Sequence, residues 1–196
     1  NDGPRYPDRE VWLALTPVVA LAYGYAARVL RGTGVTPSTG EAGVAAAAAS
    51  IVGTASLVTL EAYVVEPPFQ VAAWAVTAAA LTGFGAWKNV TAIRWQGYAV
   101  AAIASSIPFV ALAADTLNER SAYLAVFIAI VGLHVTAYLG RSATLAASRF
   151  ERAGAGFIGF LGNALQALFV MRVVPEALVP AVWAASATAL IVLGTR

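Results

Sequence analysis

The sequence predicts an all-α fold: a polytopic membrane protein built as a bundle of seven transmembrane helices, N-terminus outside and C-terminus inside. Three observations predict it. Mean hydropathy is +0.75, and 60% of the residues are hydrophobic while 11% are charged, against about 25% charged in an ordinary soluble chain. A chain so short of charge cannot cover its own surface with polar groups, so lipid must cover it. Finally, seven apolar stretches fill nearly the whole sequence, each near the ~20 residues a spanning helix needs.

The first stretch, Val11–Leu30, ends at Arg31. Ala42–Val65 follows and stops at Glu66-Pro67. Pro68–Trp87 runs to Lys88, and Gly97–Ala114 begins beyond Arg94 and ends at Asp115. Ser121–Gly140 lies between Arg120 and Arg141, Ala153–Met171 between Arg152 and Arg172, and Leu178–Leu193 closes the bundle. Spanning strands would alternate polar and apolar residues over ~10-residue segments, and no such alternation occurs. All seven belong to one domain, 1–196. The chain starts at Asn1 rather than Met, consistent with a trimmed or processed N-terminus, and its first ten residues lack the apolar core of a signal peptide.

Lysine and arginine set the orientation. One side collects Arg28, Arg31, Lys88, Arg94, Arg141, Arg149, Arg152 and Arg196, and the other Arg5, Arg9, Arg120 and Arg172. The richer side is expected to be cytoplasmic. A multi-pass protein of the cell membrane follows. The Asn89-Val90-Thr91 sequon falls on the inner side and is discounted.

Composition removes several classes of function. No cysteine is present, which excludes disulfides, haem thioethers and thiol nucleophiles. A net charge of +2 does not suggest a nucleic-acid partner. There is no phosphate-cradling glycine loop and no zinc-protease motif. With one histidine and few buried carboxylates, hydrolytic chemistry is hard to assemble, so no enzyme activity and no metal site are expected.

Polar groups at membrane depth are the functional candidates, because an unpaired one is costly there. Glu61 lies near the outer end of the second stretch and Glu66 in the turn beyond. Either snorkelling to the interface or a proton or cation site explains Glu61, and snorkelling is the simpler explanation. Asp115, Glu119 and Arg120 form a solvated turn. His134 is a lone imidazole without a second metal ligand in range, so hydrogen-bonded packing stands against a ligand or proton contact. Asn163 and Gln166 share one helical face, where interhelical hydrogen bonding is the simpler role. Trp12, Trp87 and Trp95 fall at expected interfaces as belt anchors. Trp74 and Trp183 lie deeper, filling a core or bracketing a flat ligand. Small residues (Ala45–Ala49 with Ser50, Gly53 and Thr54; Ala155 and Gly159) suit close helix approach, within the monomer or between copies.

Several of these residues carry a resemblance. Val11-Trp12-Leu13-Ala14-Leu15, continuing to Arg31-Gly32-Thr33-Gly34-Val35-Thr36-Pro37, resembles the first helix and loop of bacteriorhodopsin-type proteins, where Trp-Leu-Ala-Leu and Lys-Gly-x-Gly-Val-Ser are typical. Ala72-Ala73-Trp74-Ala75-Val76-Thr77 resembles the family's Ala-Asp-Trp-x-x-Thr, which lines the retinal pocket. Ser186-Ala187-Thr188 falls where the family has Ser-Ala-Lys. The likeness to microbial rhodopsins covers the chain as far as Gly85 and resumes in the last helix.

The departures carry the functional expectation. Thr188 stands where the family's lysine forms the retinal Schiff base, and the chain's one lysine, Lys88, is in the wrong helix. The family's two counterion aspartates match Ala73 and Ala184, its cytoplasmic proton donor matches Phe84, and its outward arginine matches Gln70. Without a Schiff base each of these charges would be an unpaired ion in low dielectric, so their joint loss is coherent.

The resemblance therefore implies a retinal-free opsin-like protein, not a light-driven pump, with no covalent cofactor. It would act as a membrane interaction or sensory subunit, its partners being the bilayer and another membrane protein or a second copy. The alternative is noncovalent binding of an apolar lipid, carotenoid or isoprenoid in a pocket formed by Trp74, Thr77, His134, Asn163, Gln166, Trp183 and Thr188. A channel or transporter ranks behind both, because no inverted repeat or charged path is visible.

Overall fold

A computed structural model describes residues 9–32, 41–117, 119–142 and 149–194. These form seven α-helices and one short 3₁₀ turn, with no strand among the described residues: α1 (Arg9–Gly32), α2 (Glu41–Val64), α3 (Pro67–Trp87), α4 (Thr91–Ala113), α5 (Arg120–Ser142), α6 (Arg149–Val173) and α7 (Val179–Gly194), the last preceded by the turn Glu176–Leu178. The described residues are therefore all-helical in class. Five helices are long and apolar enough to cross a membrane: Val44–Val64 within α2, and the whole of α3, α4, α5 and α6. The clearly apolar part of α1 is the shorter Ala14–Ala26. α7 has 16 residues, about 24 Å of helix, less than the ~30 Å hydrocarbon layer. The Thr33–Pro37 loop motif and the Trp12 side chain lie outside the described residues.

The helix ends have local causes. Pro67 and Pro68 open α3, where a missing N–H costs nothing. Two helices end in Schellman turns. At the end of α3 the Val90 N–H reaches Gly85 O at 2.8 Å and Asn89 N–H reaches Ala86 O at 3.2 Å, with Asn89 in the left-handed region at φ 54°. After α4 the Thr116 N–H reaches Ala111 O at 3.0 Å and Asp115 N–H reaches Leu112 O at 3.3 Å, with Asp115 at φ 55°. Asn and Asp fill the place glycine usually takes because their short polar side chains tolerate that conformation.

Two helices begin well before the predicted positions. α4 begins at Thr91, not Gly97, and α6 at Arg149, not Ala153. Charged residues mark a helix end in an unpaired sequence; in the folded chain Arg94 and Glu151 neutralise each other and enter the bundle.

The core lies among α3, α4, α5 and α6. Ala75, Ala78, Ala101, Ala104, Ala129, Leu133, Ala155 and Leu165 are fully buried there. Small residues set the spacing. A Cβ on Gly132 of α5 would lie 2.8 Å from the Ala75 Cβ and 3.1 Å from the Ala75 carbonyl oxygen, so α3 and α5 touch backbone to backbone. Ala155 faces Gly140 across the α5–α6 contact. Gly53 of α2 sits against Ala22 and Tyr23 of α1. These small residues pack within the monomer, whereas Gly156 has open space beside it. α1 and α2 pair closely with each other and rest more lightly on α3 and α4, while α7 rests on α6.

Candidate functional site

Three clusters gather many of the polar residues at membrane depth. The first joins α2 to α3. Gln70 donates from Nε2 to Ala62 O at 2.7 Å and to Val65 O at 3.2 Å, satisfying carbonyls at the α2 end that the helix itself leaves open. Trp74 donates from its indole nitrogen to Val58 O at 3.2 Å. Thr77 donates to Glu61 Oε1 at 2.5 Å, and Glu61 Oε2 is buried with no hydrogen-bond partner. Trp74 and Thr77 are buried and Glu61 is half-buried. Glu66, beyond the helix end, is exposed.

The second cluster joins α1, α2 and α4. Thr54 donates its hydroxyl to Gln96 Oε1 at 2.6 Å. Its only proton is thereby used, so the 2.7 Å contact with Tyr23 is donated by the tyrosine. Gln96 Nε2 donates to Ser50 Oγ at 2.7 Å, and Ser50 donates to Ala47 O at 2.8 Å. The chain runs one way and leaves none of these groups wanting. Gln96 and Tyr23 are not evident as partners from the sequence; the repeat Ser50, Thr54 on one face of α2 is the available signal.

The third lies between α5, α6 and α7. The His134 imidazole is packed against Gly162. Asn163 and Gln166 are its polar neighbours on α6. Gln166 donates to Ser186 Oγ of α7 at 2.7 Å. Asn163 is exposed on the bundle surface.

Trp74 and Thr77 thus stand with α2, whereas His134, Asn163 and Gln166 stand with α7. Trp183 and Thr188 are exposed, and the Thr188 hydroxyl returns to Ala184 O of its own helix at 2.8 Å. Trp74 and Thr188 do not face a common space. Of the expected belt tryptophans, Trp87 is exposed with Lys88 Nζ 3.6 Å over its ring. Trp95 is half-buried, stacked edge-on against Tyr98 at 5.5 Å, and so belongs to the packing of α4 against α6.

A buried ion pair closes the end of the bundle opposite Glu61. Arg94 Nη2 lies 2.7 Å from Glu151 Oε1, and Nε donates to the same oxygen at 3.1 Å. Nη1 donates to Gly85 O at 3.0 Å and Nη2 to Thr91 Oγ1 at 2.9 Å. One guanidinium therefore ties α3, α4 and α6 together. At the other end Arg172 pairs with Asp115 at 3.3 Å in the open, joining α6 to the turn expected to be solvated.

No family model, curated protein or solved structure matches this chain. Composition and architecture define its class: a multi-pass helical membrane protein.

Proposed function

We propose that this is a retinal-free, opsin-like protein of the cell membrane that works as an interaction or sensory subunit, not as a light-driven pump. In this reading all seven helices cross the bilayer, the N-terminus is outside and the C-terminus inside, and α1 and α7 cross with help from neighbouring helices or a thinned bilayer. One observation carries it. The α7 helix leans on α6 and leaves Trp183, Ala184, Ala185, Ala187 and Thr188 exposed. In lipid, where apolar surface drives no association by itself, a face of alanines is the kind that lets a second helix approach closely. Thr188 on that face supplies no amine for a Schiff base. Native mass spectrometry of the protein released directly from its membrane tests the reading. A stoichiometric complex with another membrane polypeptide supports it, and a solitary 20.1 kDa chain overturns it.

A second reading is favoured by His134. A half-buried imidazole beside an exposed Asn163 offers hydrogen bonds to the head of an otherwise apolar ligand. In that case a lipid, carotenoid or isoprenoid co-purifies with the wild-type chain and is lost from His134→Ala. Equal amounts on both proteins would dismiss it.

A further inference from the structure

We propose that Glu61 is a proton-binding site inside the membrane, occupied at neutral pH and in exchange with the water onto which the α2–α3 turn opens. The proposal is independent of the opsin-like reading.

The geometry carries it. Glu61 is one turn from the end of α2, close enough for its carboxylate to reach the interface by snorkelling. Instead it turns inward to Thr77, which is ten residues into α3. A carboxylate held there would have one hydroxyl for one oxygen and nothing for the other. No ion pair to it occurs among the described residues. The groups facing it are weak partners for a negative charge. From α1 the ionisable neighbour is Tyr23, itself an acid and already committed to Thr54. From α3 come Gln70, whose amide is spent on α2 carbonyls, and Trp74, whose N–H is spent on Val58. From α4 comes Gln96, whose amide is bonded to Thr54 and Ser50. Of these groups only the Thr77 hydroxyl is bonded to Glu61.

A neutral carboxyl removes the difficulty. With the proton on Oε1, the acid donates to Thr77 Oγ1 and the threonine proton turns to a carbonyl of its own helix, as threonines in helices commonly do. Oε2 is then a carbonyl oxygen, which tolerates apolar surroundings far better than half of a carboxylate. Loading takes one proton from water and release returns it. No other group need change state. A metal cation is a poorer occupant, because one carboxylate and one hydroxyl fall well short of the six to eight oxygens a hard cation takes.

Infrared titration of the full-length chain in lipid nanodiscs tests the assignment. A protonated-carboxyl carbonyl band is expected at neutral pH, lost reversibly as the pH is raised. Glu61→Gln, which keeps the shape of the neutral acid, should lack that band. Thr77→Val should keep it but shift its frequency, because the hydrogen bond to the carboxyl is gone. A wild-type spectrum with no such band at neutral pH overturns the proposal. So does a band that survives in Glu61→Gln or is unmoved in Thr77→Val.

Discussion

Arg94 and Glu151 are 57 residues apart and form an ion pair almost wholly enclosed by protein, at 2% and 4% exposure. Its role is structural. The guanidinium also holds a carbonyl at the end of α3, so three helices meet on one side chain. Breaking such a pair from one side strands the other charge, at about 3–5 kcal/mol. Glu151→Gln should therefore lower thermal stability sharply in a mild detergent. The double variant Arg94→Met with Glu151→Leu should recover part of the loss, since neither charge of the pair is left buried alone, while the hold on Gly85 O is given up. An undiminished melting temperature in Glu151→Gln would show that the pair does not hold the helices.

The α3–α5 contact makes a contrasting pair of predictions. At Gly132 an added methyl meets Ala75 side chain and backbone, and backbone cannot step aside. Gly132→Ala should cost about 1–3 kcal/mol through overpacking. At Gly156 nothing lies within 4 Å, so Gly156→Ala should be neutral or stabilise by up to about 1 kcal/mol from helix propensity alone. Thermal melts of the two proteins check the order.

Gly162 and His134 are coupled. A methyl at Gly162 would lie 2.6 Å from His134 Nδ1 and 2.8 Å from Cε1. Gly162→Ala should displace the imidazole and loosen the α5–α6 contact. His134→Ala in the same chain should restore much of the stability. A double variant no better than the single one would mean that the obstruction lies elsewhere.

Orientation is checked at two exposed turns. Lys88 sits between α3 and α4, and Asp115 follows α4. The chain has no native cysteine, so Lys88→Cys and Asp115→Cys each give one thiol. In intact cells a membrane-impermeant maleimide should label Asp115→Cys and spare Lys88→Cys until the membrane is opened. The reverse pattern would invert the topology, and equal labelling would deny that α4 crosses.

Helix positions were legible from hydropathy because each apolar run is long and each turn carries charge. The starts of α4 and α6 were not, because the rule that stopped a helix at Arg94 or Arg152 cannot register a partner 57 residues away. Close helix approach at Ala155 is legible because its side chain is small, whereas its partner within the monomer, Gly140, is not. The grouping of Trp74, Thr77, His134, Asn163, Gln166, Trp183 and Thr188 into one pocket depends on where α7 sits. That placement rests on α6 contacts and the Gln166–Ser186 bond, neither of which leaves a periodic signal. Glu61 was visible as a polar residue near a helix end, but snorkelling and an inward turn to Thr77 look alike until α3 is placed beside it.

The subunit reading turns most directly on what touches the open face of α7. A photoactivatable amino acid in place of Ala185, illuminated in the native membrane, reports this by cross-linking. The account predicts a discrete adduct with a membrane polypeptide, either another protein or a second copy of this chain. Adducts with lipid alone would contradict it.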